Sequence, residues 1–229
     1  MEISFLSKEE YTIQGVYVEN LHNRPYCIFD LEGTGIHVET EYITQIAAIL
    51  FQNGQIIGKF DSLVKSPKLI PDAIEKLTGI TNEEMLHAPA FPEVYKQFLD
   101  FCGEAVLVTQ AGYEYDLPML DKHCRIHGLQ LFPNTVIDTK ALFANVHREW
   151  NDIFSTDYLI NYYKIGDNDV PRHNALGDCI LISRIFQNIL QDYSNKDMKS
   201  FELEKGLTIK RFVMPKSDLD EDNGGSHDS

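Results

Sequence analysis

Asp30 and Glu32 stand two residues apart in the stretch Phe29-Asp30-Leu31-Glu32-Gly33-Thr34-Gly35. On a strand that spacing puts both carboxylates on one face, about 7 Å apart along the chain, where they can share one cation or flank two. The pair also reads as a strand end entering a turn, with Gly33 and Gly35 supplying the bend. Against that, an uncompensated acidic pair beside apolar strands is costly unless something positive sits there. A third carboxylate, Asp116 in GYEYDLPML, follows an apolar strand at a helix start. There an acid also serves as a cap or as a partner of the helix dipole. His173 and Asp178 follow in HNALGD, the histidine in a loop and the acid in the first turns of an apolar helix. Taken singly, His173 reads as a satisfied surface or core residue and Asp178 as a first-turn acid.

The elements that must position these groups are legible from periodicity. Tyr26 to Leu31 reads as a short buried strand, Tyr42 to Phe51 as a second and Gln55 to Val64 as a third. Asn53-Gly54 between the last two is a hairpin signal, because both positions tolerate positive φ. Helical spacing marks Phe91 to Phe101, and AVLVT at Ala105 to Thr109 is strand-like. A helix is predicted from about Tyr115 to His127, ended by Gly128, with Pro118 in its first turn. Thr135 to Ile137 reads as a brief strand, and Asp138 and Thr139 can cap the helix after it. Ser155, Thr156 and Asp157 offer a helix start before YLINYYKI, stopped at Gly166. The last long helix is predicted from near Asn174 to about Gln191, with Ala175, Cys179, Ile182, Phe186 and Ile189 recurring on one face. Pro171 before it favours an extended approach. Three strands with a hairpin, then alternating helices and strands, predict an α/β fold: a mixed sheet with helices on its faces.

The organisation expected is an N-terminal extension over residues 1–25, a catalytic-type domain over 26–191 and a C-terminal extension over 192–229. Within the last, SNKD reads as a linker-like break and GLTIKRFVM, Gly206 to Met214, as one more strand. That strand could dock a partner or pair with the N-terminal YTIQGVYVEN; the second is preferred. SDLDEDNGGSHDS reads as a disordered acidic end.

Joined, the acids fall in an order: Asp-x-Glu on the first strand of the domain, Asp after a later strand, then His-x-x-x-x-Asp on the last helix. In this the sequence resembles the histidine-bearing (DEDDh) branch of the DEDD 3′→5′ exonucleases, to which the proofreading epsilon subunit of bacterial DNA polymerase III and ribonuclease T belong. The resemblance runs from Tyr26 to Leu190 through IFDLEGTG, ITQIAAILFQNGQII, LTGITNEEMLHAPAFPEV, IDTKALF and RHNALGDC. It implies a ribonuclease H-like mixed five-stranded sheet flanked by helices. It also implies that Asp30, Glu32, Asp116 and Asp178 hold two divalent cations, Mg²⁺ or Mn²⁺, and that His173 is the general base. The reaction implied is hydrolysis at a nucleic-acid 3′ end with release of nucleoside 5′-monophosphates. By the same resemblance, Gly33, Thr34 and Gly35 leave backbone exposed beside the metals to hold the terminal nucleotide, with Thr34 bonding its sugar or phosphate. Tyr115 either stacks near the scissile end or belongs to the core. Four positions depart from the family pattern: Ala111 and Gly112 stand where His-Asn is frequent, Tyr115 where Phe is usual, and Gly33 where Thr is common.

Composition bounds the alternatives. The formal net charge is −15, and residues 217–229 hold five acids with no Lys or Arg, which leaves −10 for residues 1–216. A protein that coats duplex nucleic acid is basic, so this charge excludes a high-affinity architectural binder. It suits an enzyme that grips a few phosphates through cations, which require carboxylates. The expected partner is a single-stranded 3′ end of DNA or RNA, with a polymerase or repair complex as a candidate protein partner. No apolar run reaches the roughly 18 residues of a membrane span, and MEISFLSKEEY lacks a secretory pattern. Cys27, Cys102, Cys124 and Cys179 are scattered, consistent with free thiols in a reducing cytoplasm. Two competing readings are an exonuclease-like binding module with little turnover of its own, and a structural zinc protein. The second lacks ligand pairs at zinc-site spacing.

Overall fold

The computed structural model describes residues 1–204 and 206–211. Three short strands lead the chain: β1 (Glu2–Phe5), β2 (Glu10–Gln14) and β3 (Val16–Val18). The long strands β4 (Tyr26–Gly33), β5 (Ile43–Gln52) and β6 (Gln55–Leu63) follow. Then come α1 (Asp72–Thr78), α2 (Asn82–Met85), α3 (Phe91–Cys102), β7 (Val106–Thr109), α4 (Asp116–Ile126) and β8 (Val136–Asp138). The chain continues through α5 (Thr139–Val146), α6 (Thr156–Tyr163), α7 (Ala175–Asn195), β9 (Phe201–Leu203) and β10 (Leu207–Lys210).

The main sheet has five strands in the order β6-β5-β4-β7-β8. The β4–β5 and β5–β6 pairs are antiparallel, whereas β7 pairs parallel with β4 and β8 parallel with β7. Asn53 and Gly54 turn the β5–β6 hairpin with φ of 52° and 76°, the left-handed pair that a two-residue hairpin requires. The predicted mixed sheet is therefore present.

The period of two along β4 decides what each face can do. Cys27, Phe29 and Leu31 face α3, where the Phe29 and Phe98 rings lie 5.7 Å apart. Tyr26, Ile28, Asp30 and Glu32 face α7, where Tyr26 meets Phe186 edge-on at 4.7 Å. Burying each such large side chain contributes roughly 1.5–3 kcal/mol, so the middle of α7 is anchored firmly on the sheet. Eight helical residues separate Phe186 from Asp178, about 12 Å. Four strand residues separate Tyr26 from Asp30, about 13 Å. Anchoring the middle of α7 through Phe186 thus delivers Asp178, near the helix start, to Asp30.

Several boundaries differ from the sequence expectation. β4 continues through Gly33, past the expected end at Leu31, so Glu32 lies within the strand as Asp30 does. α7 continues to Asn195, beyond the predicted stop at Gln191. Fully buried Tyr193 holds its last turn: the hydroxyl accepts from Asn145 Nδ2 at 2.9 Å and donates to the Leu142 carbonyl at 3.2 Å. α6 stops at Tyr163 on a left-handed Lys164, two residues ahead of Gly166. Two helices, α1 and α2, have no strong periodic signature. The single turn of α2 is held by a capping box between Thr81 and Glu84.

The terminal extensions form small sheets of their own. β10 pairs antiparallel with β2, Ile209 opposite Tyr11, in a three-stranded sheet β1-β2-β10. This is the expected pairing of the C-terminal strand with the N-terminal segment. β3 pairs with β9. The part of that predicted strand past Arg211, and the acidic end, lie outside the described residues.

Candidate active site

Asp30 and Glu32 emerge from the α7-facing side of β4, and Asp178 from the first turn of α7. One carboxylate oxygen from each lies within 4.8 Å of the others. Two backbone features bring the α7 side into place. Asn174 caps the helix, its side chain accepting from the Gly177 amide, and Gln45 Oε1 accepts from the Ala175 amide at 3.1 Å. Gly177 also lets the preceding loop lie directly on the helix: a Cβ there would stand 2.1 Å from the Pro171 carbonyl oxygen. The loop so placed carries Arg172 and His173, the latter in a left-handed conformation at φ 56°. Both line the same cavity of about 220 Å³ as Asp30, Glu32 and Asp178. The nearby His173 and Asn174 amides favour the ionised form of Asp178.

Asp116 departs from the four-carboxylate convergence that the sequence predicts. It is buried at the start of α4, and Oδ2 accepts from the Thr109 hydroxyl at 2.6 Å. It is not one of the three acids whose oxygens meet. The reason is local: the Thr109 side chain at the end of β7 claims its oxygen. Asp116 nevertheless acts on Asp30 and Glu32 through space, raising both pKa values.

The electrostatics are those of crowded acids short of positive charge. Burial foremost, then the charges of Asp178 and Asp116, push Glu32 up to about 8. Burial foremost, then Asp116, Glu32 and Asp178, raise Asp30 well above the carboxylate range, against a lowering by Arg172. Burial pushes Asp116 up to about 7 against the Thr109 hydrogen bond and the Leu31 amide. Burial also raises Asp178, opposed chiefly by Arg172. Hard oxygen donors that repel one another in one cavity, with a single guanidinium among them, suit a hard divalent cation.

The Gly33–Gly35 turn is packed rather than open, contrary to the expectation of exposed backbone. Gly33 and Thr34 are buried. The Thr34 hydroxyl donates to Glu41 Oε2 at 2.5 Å and accepts from the Tyr42 amide at 3.0 Å. Lys68 clamps Glu41 in turn, with Nζ 2.7 Å from both carboxylate oxygens. Thr34 is thereby a brace of the turn. Tyr115 donates its hydroxyl to the Gly35 carbonyl at 2.9 Å. A Cβ on Gly33 would stand 2.3 Å from that hydroxyl. Two of the departures from the family pattern, Gly33 and Tyr115, therefore compensate each other: the tyrosine hydroxyl fills space that a residue-33 side chain would need.

Arg172, Gln110 and Thr156 also line the cavity, and the acid-and-histidine pattern singles out none of them. A signal for Arg172 was present: buried carboxylates need a counter-charge, and Arg172 is the cation adjacent to His173.

A ribonuclease H-like sheet with a carboxylate cluster on its central strand defines the class, a nuclease of the α/β type. A family model described as Exonuclease (RNase T) matches residues 27–186. The chain is 32% identical over 193 residues to the DNA polymerase III subunit epsilon of Aquifex aeolicus, covering 82% of this chain and 94% of that protein. It is 28% identical over 190 residues to the PolC-type DNA polymerase III of Staphylococcus epidermidis, covering 82% of this chain but 13% of that one. The structure resembles the nuclease domain of 3′hExo, a DEDDh family member bound to rAMP, with a TM-score of 0.68 at 22% identity, over 80% of this chain and 98% of that one. The chain belongs to the DEDDh family of 3′→5′ exonucleases and is a hydrolase of phosphodiester bonds. Among the described residues, no helix is long and apolar enough to cross a membrane.

Proposed function

We propose that the chain removes nucleoside 5′-monophosphates from the 3′ end of single-stranded DNA or RNA with the help of two divalent cations, Mg²⁺ or Mn²⁺. The observation that supports this reading is the meeting of Asp30, Glu32 and Asp178, from two distant stretches of chain, in one cavity with His173. Asp30, Glu32 and Asp178 would hold the cations, with Asp116 joining them by releasing Thr109. Bound there, such cations would supply Lewis-acid activation of a water and charge neutralisation in the transition state.

The chain's own groups supply the rest. His173 takes the proton from the attacking water, the general-base role open to an imidazole that lines the carboxylate cavity. Its loop, laid on the start of α7, places the ring beside the carboxylates without spending it on a core contact. The Gly33–Gly35 turn, braced by Thr34, Glu41 and Tyr115, fixes the wall against which the terminal nucleotide sits. A net negative surface fits a protein that grips only the last nucleotides rather than a long duplex. Similarity to the epsilon subunit over nearly its whole length supports a polymerase or repair complex as partner and a cytoplasmic setting.

The test is product analysis on 5′-labelled single-stranded DNA, duplex DNA and RNA with Mg²⁺ or Mn²⁺, with EDTA as control. Stepwise shortening from the 3′ end with release of 5′-mononucleotides is expected. Retention of intact oligonucleotide on all three substrates supports instead a binding module on an exonuclease fold.

A further inference from the structure

Of the residues lining the carboxylate cavity, only Arg172 carries a permanent positive charge. Its allegiance is divided. Nη1 donates to Asp157 Oδ1 at 2.8 Å, and Asp157 is itself 73% exposed on α6. Nε lies 3.3 Å from Asp178 Oδ1, yet this buried N–H has no hydrogen-bond partner. Arg–carboxylate pairs frequently close into a bidentate fork, as Arg184 does on Asp169. Here the fork is tied on its outer side and holds Asp178 by charge alone, leaving one directed donor unspent beside the cluster. A guanidinium's planar donor set matches phosphate oxygens as well as carboxylates.

We infer that Arg172 is a built-in counter-charge: it holds Asp178 until a divalent cation takes that carboxylate, and then, still tethered by Asp157, turns Nε–H to a non-bridging phosphate oxygen of the substrate. The inference rests on the cation-binding reading above. It makes Arg172 a competitor of the cation for Asp178 and a ligand of the substrate, two roles with opposite signatures. Asp157 sets the balance between them, since a guanidinium released from Asp157 commits more fully to Asp178.

The test measures Mn²⁺ uptake by loss of the free-ion electron paramagnetic resonance signal, on the EDTA-treated full chain. Arg172→Gln should bind Mn²⁺ tighter by roughly three- to tenfold, since a like charge beside the site is removed. It should also raise KM for a single-stranded oligonucleotide by about tenfold, the loss of one charge-assisted phosphate contact. Asp157→Asn, a surface change, should weaken Mn²⁺ binding by about two- to threefold. Unchanged or weaker Mn²⁺ binding by Arg172→Gln overturns the counter-charge role, and an unchanged KM overturns the phosphate role. If Arg172→Gln does not fold, Asp157→Asn decides alone, and unchanged or tighter binding there overturns the inference. Equal Mn²⁺ uptake by the wild type and Asp30→Asn is a separate failure, that of the cation site itself.

Discussion

Replacing Glu32 by Gln should stabilise the cation-free protein while destroying its activity. The near-isosteric amide keeps the shape of the side chain and removes its charge. In the wild type the pKa of Glu32 moves from the ordinary 4.5 up to about 8, because burial and the charges of Asp178 and Asp116 disfavour the carboxylate. A carboxyl whose folded pKa is raised costs nothing below the unfolded value and costs progressively more as pH rises toward the folded one. One pKa unit is worth about 1.4 kcal/mol. After allowance for solvent screening at this partly exposed group, the cost near pH 8 is on the order of 2–4 kcal/mol. For a chain of this size 1 kcal/mol moves Tm by roughly 2–4 °C. Thermal unfolding in EDTA should therefore show Glu32→Gln melting about 5 °C or more above the wild type at pH 8, with the gap closing toward pH 4.5. Saturating Mn²⁺ should restore the wild type and do little for the variant. Nuclease activity should fall by roughly a hundredfold or more as one cation ligand is lost. A variant that melts at or below the wild-type temperature in EDTA at pH 8 would refute the claim that the acids repel one another in the empty cavity.

Other expectations are narrower. His173→Ala should lower turnover by roughly a hundredfold or more with Mn²⁺ uptake and Tm largely kept; near wild-type turnover would remove the general-base role. Gly33→Thr should destabilise by about 1–3 kcal/mol through overpacking against Tyr115, and less so in a Tyr115→Phe background. A double-mutant cycle by denaturant unfolding that finds no coupling would contradict the compensation between these positions. Thr109→Val removes the hydrogen bond that keeps Asp116 ionised near a pKa of about 7. The acid limb of kcat/KM against pH should then move upward by about half a unit or more; an unmoved limb would detach Asp116 from catalysis.

The central strand is the most legible part of this chain, because its period of two states which residues share a face. Asp30 and Glu32 share theirs with Tyr26 and Ile28, so the sequence already says that acids and core side chains look at the same covering helix. The spacing of Ala175, Cys179, Ile182 and Phe186 says which helix that is. The fate of Asp116 was not legible, because one hydroxyl from Thr109 decides where its oxygen points, and residues seven apart across a turn show no period. Nor was the use of the Thr34 hydroxyl, which depends on Glu41 and through it on Lys68, 27 residues further on. α1 and α2 escape notice for a different reason: short helices bury few residues and rest on caps. The extra turn of α7 rests on Tyr193, whose hydroxyl partners lie on α5.

The account stands on side chains from distant stretches trapping divalent ions together. Crystals of the full chain soaked in Mn²⁺ and measured at the manganese absorption edge test this directly. Two anomalous peaks in the cavity are predicted, within coordination reach of Asp30, Glu32 and Asp178, with Asp116 turned away from Thr109. A saturating soak that leaves no peak beside Asp30, in a protein with this same fold, would contradict it.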